Sequence, residues 1–547
     1  MMRGVIDRWL AKRPAGDDSA LPRPTAAVAT ADVCLIVEGC YPYVQGGVAG
    51  WIDWLMRSQP HLTFAVVALW PRPTEQKPRY VLPDNAISFD TLYLQDFGEP
   101  PRQRLTLPDG LDDVARTLGM LVKRGGLEPW RAFSNRLAKM RQTAPLPVIF
   151  NSPVAWEIVQ RMYAADMPQS SFLHYFWAWR ALLGGLFAVA EAPLPPARVY
   201  HTISTGYAGL LAARAALETG RPALLTEHGI YTNERRIELL MADWVADNID
   251  KGSSLTDERV DLRDMWVRAF EAYARTCYEV CEKVVTLYED NQRAERSLGA
   301  DKQRLSVIAN GIDTARFADL ARAADDARPT MALIGRVVPI KDVKSYIAAA
   351  RVLKQRVPDL RALVLGPLDE DPEYADECRA LVSALGLDGT VEFTGAVNVA
   401  DYFPQIHVAV LTSLSESQPL VLLEAGAAGV PFVATNVGSC REIIEGRSEE
   451  SPHLGAGGIV TPLVAPEAIA DAVGALLTDH PRRRAAGEAL RARVETYYTS
   501  ARAADAYRRL YGELAGRQTS VARALRGSAT SSAPARRAVF KPGSGAR

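Results

Sequence analysis

The sequence predicts an α/β protein made of two successive doubly wound domains, and three observations carry that expectation. Short apolar runs alternate with longer helical stretches along most of the chain. The apolar runs are continuous rather than alternating, as strands of a parallel sheet covered on both faces must be. The pattern also occurs twice, over about residues 31 to 312 and again over about 329 to 495.

Taken in order, residues 1–30 mix charges, Pro and Ala without a sustained period and read as a flexible segment. Val33-Cys-Leu-Ile-Val37 and Phe64-Ala-Val-Val-Ala-Leu69 are the first strands of an N-terminal Rossmann-like domain, residues 31–315. This domain carries a helical insertion over about 95 to 180 and a charged helical stretch over about 231 to 282. Asn310-Gly-Ile-Asp313 and the Ala/Asp/Arg-rich run Ala321 to Pro329 mark the link. A C-terminal Rossmann-like domain, residues 316–496, follows with strands at Met331-Ala-Leu-Ile334, Leu363-Val-Leu365 and Val408-Ala-Val-Leu411. Residues 497–516 read as a helix returning to the first domain, and 517–547 as a flexible basic tail.

Composition narrows the function. The 547 residues are 48% apolar, which suits packed cores. The net charge of -1 lacks the cation excess a polyanion binder needs, so nucleic acid is not expected as a partner. Six scattered cysteines form no pair of CxxC halves, and Cys277 and Cys281, one helical turn apart, read as buried thiols rather than metal ligands. No metal site is predicted. The best apolar run, Ala181 to Ala190, is closed by Arg180 and Glu191 and falls short of the roughly 18 to 20 residues of a membrane span. The N-terminus lacks the apolar core of a secretory signal, so a cytoplasmic setting is expected.

The chemistry lies in the second half. In Met331-Ala-Leu-Ile-Gly-Arg-Val-Val-Pro-Ile-Lys341 a strand runs into Gly335, so Arg336 emerges at its carboxyl end, the ligand-binding edge of an open α/β sheet. Lys341 follows five residues on, and the two cations can serve one diphosphate, as fork and point charge. After the strand ending near Leu411, a polar loop holds Glu416, and Pro419 fits the first turn of a helix whose early N–H groups need an acceptor. Glu424 sits inside that helix among Leu, Val, Ala and Gly, where a carboxylate is costly without hydrogen bonds.

Glu416 and Glu424 form an E-x7-E spacing, preceded by GR-x4-K and followed by EAGAAGVPFVATNVG. With Val307-Ile-Ala-Asn-Gly-Ile-Asp313 and the glycine pair of Val44-Gln-Gly-Gly-Val48, the chain resembles glycosyltransferase family 4 enzymes of GT-B architecture from about residue 31 to 500. Ile36 to Trp51 and Leu225-Thr-Glu-His-Gly-Ile-Tyr-Thr-Asn-Glu-Arg-Arg236 look like the PelF type of exopolysaccharide glycosyltransferase. The resemblance implies two Rossmann-like domains facing a cleft, the first for the acceptor and the second for a UDP-sugar, UDP-glucose or a related one. It implies Arg336 and Lys341 on the pyrophosphate, Glu424 on the ribose and Glu416 on the transferred sugar. It places Ser417 and Leu420 beside the donor, and backbone N–H groups of Gly46 and Gly47 near phosphate or acceptor. It also implies work beside an inner-membrane polysaccharide export complex, on a polysaccharide acceptor such as Pel.

The sequence departs from the family in two places. Ser417, Gln418 and Pro419 stand where many relatives have glycines, and Ile203 occupies the second position of a His-x-His-type motif that keeps only His201. His228, in Thr-Glu-His-Gly229, is the better histidine for contact with donor or acceptor. Arg235 and Arg236 are read either as phosphate contacts or as intrahelical partners of Glu234 or Glu238. The aromatic segment Phe172 to Trp179 is read as core or as a sugar platform. Cations aimed at the leaving phosphates suffice without a metal, so metal-independent transfer with no cofactor is expected. Retention of configuration is what the resemblance implies. The competing readings are an inactive nucleotide-sugar-binding scaffold subunit and a GT-B sugar-nucleotide epimerase.

Overall fold

The computed structural model describes residues 29–73, 76–96, 111–141, 151–241, 262–517 and 519. The segments expected to be flexible, 1–30 and 517–547, fall almost wholly outside them. Two parallel sheets form as the alternation predicts. The first holds β1 (Ala31–Glu38), β2 (Phe64–Trp70), β3 (Ala86–Tyr93), β4 (Ala197–Thr202), β5 (Ala223–Glu227), β6 (Lys283–Thr286) and β7 (Leu305–Val307), in the order β3-β2-β1-β4-β5-β6-β7. The second holds β8 (Thr330–Ile334), β9 (Arg361–Leu365), β10 (Val391–Gly395), β11 (Val408–Leu411), β12 (Phe432–Thr435) and β13 (Gly458–Thr461), in the order β10-β9-β8-β11-β12-β13. Strand order reverses between β1 and β4 and between β8 and β11, and ligands of such sheets bind outside the carboxyl ends at those points.

The period of two explains the layering. Val33, Leu35 and Val37 of β1 face one core with Val66 and Ala68 of β2. Cys34 and Ile36 face the other, with Val67, Leu210 and Leu225. The first of these cores is closed by helix Gly47–Arg57 and by Tyr507, Leu510, Tyr511 and Leu514 of the helix Ser500–Ala515, so the end of the chain packs on the first sheet.

The chain thus passes between the domains twice, and the two passages are laced together. Ile312 N donates to Tyr498 O and Ser500 N to Ile312 O, both at 2.9 Å. A Cβ at Gly311 would lie 2.2 Å from the Thr499 carbonyl, so only glycine allows this approach.

The insertion contributes helices Leu111–Arg124, Leu127–Arg141, Pro153–Asp166 and Phe172–Glu191. The last corrects the reading of its apolar run. It continues through Arg180 for 20 residues and is, by length and composition, long and apolar enough to cross a membrane. Over half of its apolar stretch is buried against the N-terminal core, Leu182, Leu183, Leu186 and Val189 among the buried residues. Tyr175 and Trp179 of the aromatic segment are core, while Leu173 and Trp177 are exposed. Cys277 and Cys281 are buried free thiols with sulfurs 3.7 Å apart.

Candidate functional site

At the carboxyl end of β8, Gly335 leads into Arg336 and a single 3-10 turn, Pro339–Lys341. Asp342 then adopts a left-handed backbone at φ 45°, rare for a residue with a side chain, and caps the helix Val343–Lys354 by accepting from Ser345 N. At the end of β11 the Thr412 hydroxyl donates to the carbonyls of Lys341 and Asp342, at 2.8 and 3.0 Å, and Leu414 N donates to Ile340 O at 2.9 Å. The Lys341 turn and the Glu416 loop are therefore fixed to each other by backbone before any side chain meets.

The side chains then pair. Lys341 Nζ donates to Glu416 Oε1 at 2.5 Å, both groups largely withdrawn from solvent. The loop is seated from below by Gly438, whose φ of 52° and lack of a Cβ let it approach Ser417 O and Glu416 O; Ser439 N donates to Ser417 O at 2.8 Å. Pro419 ends the loop as the cap of helix Leu420–Ala427. Its first backbone N–H groups, at Leu420 and Val421, face outward from a helix N-terminus, which favours an anion. Glu424 lies one turn further in, half-buried, and desolvation raises its carboxyl above the usual range while Arg316 opposes the shift.

Arg336 stands apart. It is half-exposed and ion-paired with Glu370 after β9, so its guanidinium is not on the Lys341–Glu416 pair. A short carboxylate partner on the surface holds it loosely, since exposed ion pairs contribute little.

From the other domain, β5 brings its end against this loop. A Cβ at Gly229 would lie 3.8 Å from the Ser417 Cβ, and the neighbouring His228 ring meets Trp51 edge-on at 4.4 Å. Trp51 belongs to helix Gly47–Arg57, which opens at Gly46 and Gly47 with free space where a side chain would stand. Burial holds the His228 imidazole down at about 4, so it is neutral near pH 7, and its Nε2 is buried without a partner. His201 differs. Its Nδ1 meets Tyr511 Oη at 2.8 Å and its Nε2 meets Thr226 Oγ1 at 2.9 Å, so both nitrogens are spent inside the core.

The remaining cations named in the sequence also have partners: Arg235 pairs with Glu238 at 2.8 Å and Arg236 with Glu271 at 2.6 Å.

Sequence reasoning missed the groups that join the domains. Gln418 Oε1 accepts from Asn310 N at 2.7 Å while its Nε2 donates to Asn310 O at 3.3 Å, clamping the loop to the first passage. Asn310 Oδ1, Ser417 Oγ, Ser439 Oγ and His228 Nε2 are buried polar atoms without protein partners. Buried polar groups are normally satisfied, so such a set on neighbouring loops marks a place for a polar ligand. Asn310 stood in a quoted motif, but nothing in one sequence tells a clamped asparagine from a turn residue.

Behind His228 lies a buried acid pair. Glu227 accepts from Tyr278 Oη at 2.6 Å and from Tyr231 N at 3.1 Å, and Glu295 is fully buried beside it, with the Thr286 hydroxyl opposing the rise of its carboxyl. Burial pushes both carboxyls above the ordinary range, Glu227 further because Glu295 is its neighbour.

Comparison with known proteins agrees with this two-domain arrangement. Residues 31–303 match a family described as a domain of unknown function, DUF3492, and residues 319–493 match the family Glycosyl transferases group 1. A D-inositol 3-phosphate glycosyltransferase of Kribbella flavida is 29% identical over 44% of this chain and 57% of its own length. An alpha-maltose-1-phosphate synthase of Mycolicibacterium smegmatis is 27% identical over 57% of this chain and 77% of its own. The chain spans only 38% to 57% of the length of the first three curated relatives it matches. Among solved structures, Anabaena HepE in complex with UDP and glucose is similar at a TM-score of 0.53 and 14% identity, covering 88% of this chain and 100% of that one. Sucrose-phosphate synthase from Thermosynechococcus elongatus gives 0.54 at 16%, covering 88% and 99%. The fold is that of GT-B glycosyltransferases.

Proposed function

With residues 319–493 a glycosyl transferases group 1 domain, we propose that this chain is a retaining hexosyltransferase of family 4. It takes its hexose from UDP-glucose or a related UDP-sugar and adds it to a growing exopolysaccharide of the Pel type, as a PelF-type enzyme at the cytoplasmic side of an inner-membrane export complex. The observation that supports this most is the grouping at the end of β8 and β11: Lys341 on Glu416, an open helix N-terminus at Leu420, and Glu424 one turn inside it.

In this reading the diphosphate lies between Lys341 and the N-terminus of helix Leu420–Ala427, where charge that develops on the departing UDP is stabilised. A diphosphate beside Lys341 competes with Glu416 for the ammonium and turns Glu416 toward the sugar hydroxyls. Glu424 accepts from the ribose. Arg336, held by a half-exposed partner, swings from Glu370 to the phosphates. Neutral His228 serves as a hydrogen-bond partner, and a donor phosphate oxygen takes the acceptor proton on the face the UDP leaves. No step calls for a metal.

The test is nucleotide release from UDP-, GDP- and ADP-sugars by the purified chain, with and without EDTA. UDP release that survives EDTA and falls by about a hundredfold or more in Lys341→Ala is expected, the scale of one lost transition-state cation. Donor binding without release under any acceptor, or a product still carrying its nucleotide, would refute it.

A further inference from the structure

The helix Phe172–Glu191 runs antiparallel to β4, and its level against the sheet is fixed by Tyr207, the first residue after that strand's end loop. Tyr207 Oη donates to Leu182 O at 2.7 Å and its ring packs on Gly185. Residues before Leu182 therefore project beyond the carboxyl edge of the sheet, the edge that carries His228. At 1.5 Å per residue, Phe176 lies about 13 Å further along the helix than Gly185.

A cavity of about 190 Å³ opens on this projecting part, between the helix and its partner Pro153–Asp166. Its walls are the rings of Trp156, Phe176 and Trp179, and its rim holds Arg180 and Asn151. Trp156 meets Phe176 edge-on at 5.6 Å and is 45% exposed, an unusual exposure for a tryptophan with such neighbours. Trp179 is buried and fixed by its Nε1–H on Met162 Sδ at 3.3 Å. Arg180 Nη2 donates to Asn151 Oδ1 at 3.1 Å, which orients the guanidinium at the rim.

We infer that this cavity is a subsite for one pyranose unit of the acceptor glycan. The inference rests on the proposed transferase reading. A pyranose has flat faces of C–H groups and a girdle of hydroxyls. Rigid aromatic walls match the faces, and convergent amide and guanidinium donors at one side match the girdle. The volume suits a single ring rather than a chain. A lipid surface would call for a flat or convex apolar patch ringed by cations, whereas this is concave with its polar groups at one rim. The cavity stands on the same side of the first domain as His228.

The test uses the full chain with maltotetraose, cellotetraose and chitotetraose, followed by saturation-transfer NMR and titration, and with UDP binding measured by calorimetry as the control for folding. At least one tetrasaccharide is expected to bind. Trp156→Ala and Phe176→Leu should each weaken it about tenfold, the scale of one lost aromatic contact, with UDP affinity unchanged. No binding of any tetrasaccharide, or equal binding in both variants and the native chain, overturns the subsite. So does Trp156-dependent partition onto phosphatidylglycerol–phosphatidylethanolamine vesicles without sugar binding. Absence of both UDP binding and UDP release instead overturns the transferase reading itself, whatever the tetrasaccharides do.

Discussion

Three carboxyls raised by burial give two opposite lessons. Glu424 is half-buried on a helix otherwise apolar, with Arg316 as its opposing charge, and its place one turn below an open N-terminus suits a ligand hydroxyl. Its raised carboxyl means the charged form costs stability at neutral pH, so Glu424→Gln is expected to leave the thermal midpoint unchanged or higher. UDP affinity should nonetheless fall about 10- to 100-fold, the scale of hydrogen bonds to a charged acceptor; a calorimetric titration with unchanged affinity would remove Glu424 from the ribose site. Glu227 and Glu295 act on the fold instead. Buried together, they retain protons that an unfolded chain has already released. Their contribution is therefore full below the ordinary carboxylate pKa and is lost as pH rises through the raised values. Glu295→Gln keeps that position neutral throughout, and a thermal midpoint that declines less steeply between about pH 5 and 8 is expected. The E-x7-E spacing made Glu424 visible in the sequence. Glu295 was not, because its partner Glu227 lies on a strand distant in sequence and a Glu in Asn-Gln-Arg-Ala-Glu-Arg-Ser297 reads as an exposed helix face.

At the scale of elements, the long strands were legible and the short ones were not. β1, β2, β8 and β11 are continuous apolar runs because both faces are covered, whereas β7 is three partly exposed residues, Leu305–Val307, with no pattern to read. Nor could the sequence show what Arg336 meets, since the loop bearing Glu370 follows a different strand. Gly438 shows how a backbone position without a side chain sets the site by seating its loop. A Cβ there would fall 2.2 Å from Ser417 O, on a backbone whose φ is 52°. Gly438→Ala is expected to cost about 1–3 kcal/mol in denaturant unfolding, through strain and displacement of the Glu416 loop. Donor KM should rise with it, because the loop that holds Glu416 against Lys341 is the one displaced. A stable variant with unaltered KM would mean that the loop is set by the Gln418–Asn310 clamp alone.

The whole molecule is tied by its second passage between domains. Helix Ser500–Ala515 follows the second sheet in sequence, yet it completes the first. Tyr507, Leu510, Tyr511 and Leu514 cover Val33, Leu35, Val37, Val199 and Leu224, and Tyr511 Oη meets the buried His201. Without the helix, an apolar sheet face opens to water, and His201 and Thr226 each lose a tyrosine hydroxyl partner. Burial of that face is what drives the helix home, and an unmet buried nitrogen adds a further penalty. A fragment of residues 29–313 therefore retains every strand of the first sheet but lacks part of its core. It is expected to bind ANS, to lose near-UV circular dichroism and to melt without a sharp transition. A peptide of residues 498–519, which restores the Ile312 lacing and the aromatic cover together, should recover the near-UV signal when added in excess. The peptide with Tyr507 and Tyr511 both changed to Ala should fail to do so. A cooperative melt of the fragment by itself would show that the first domain closes its own core, and that the returning helix only joins the two halves.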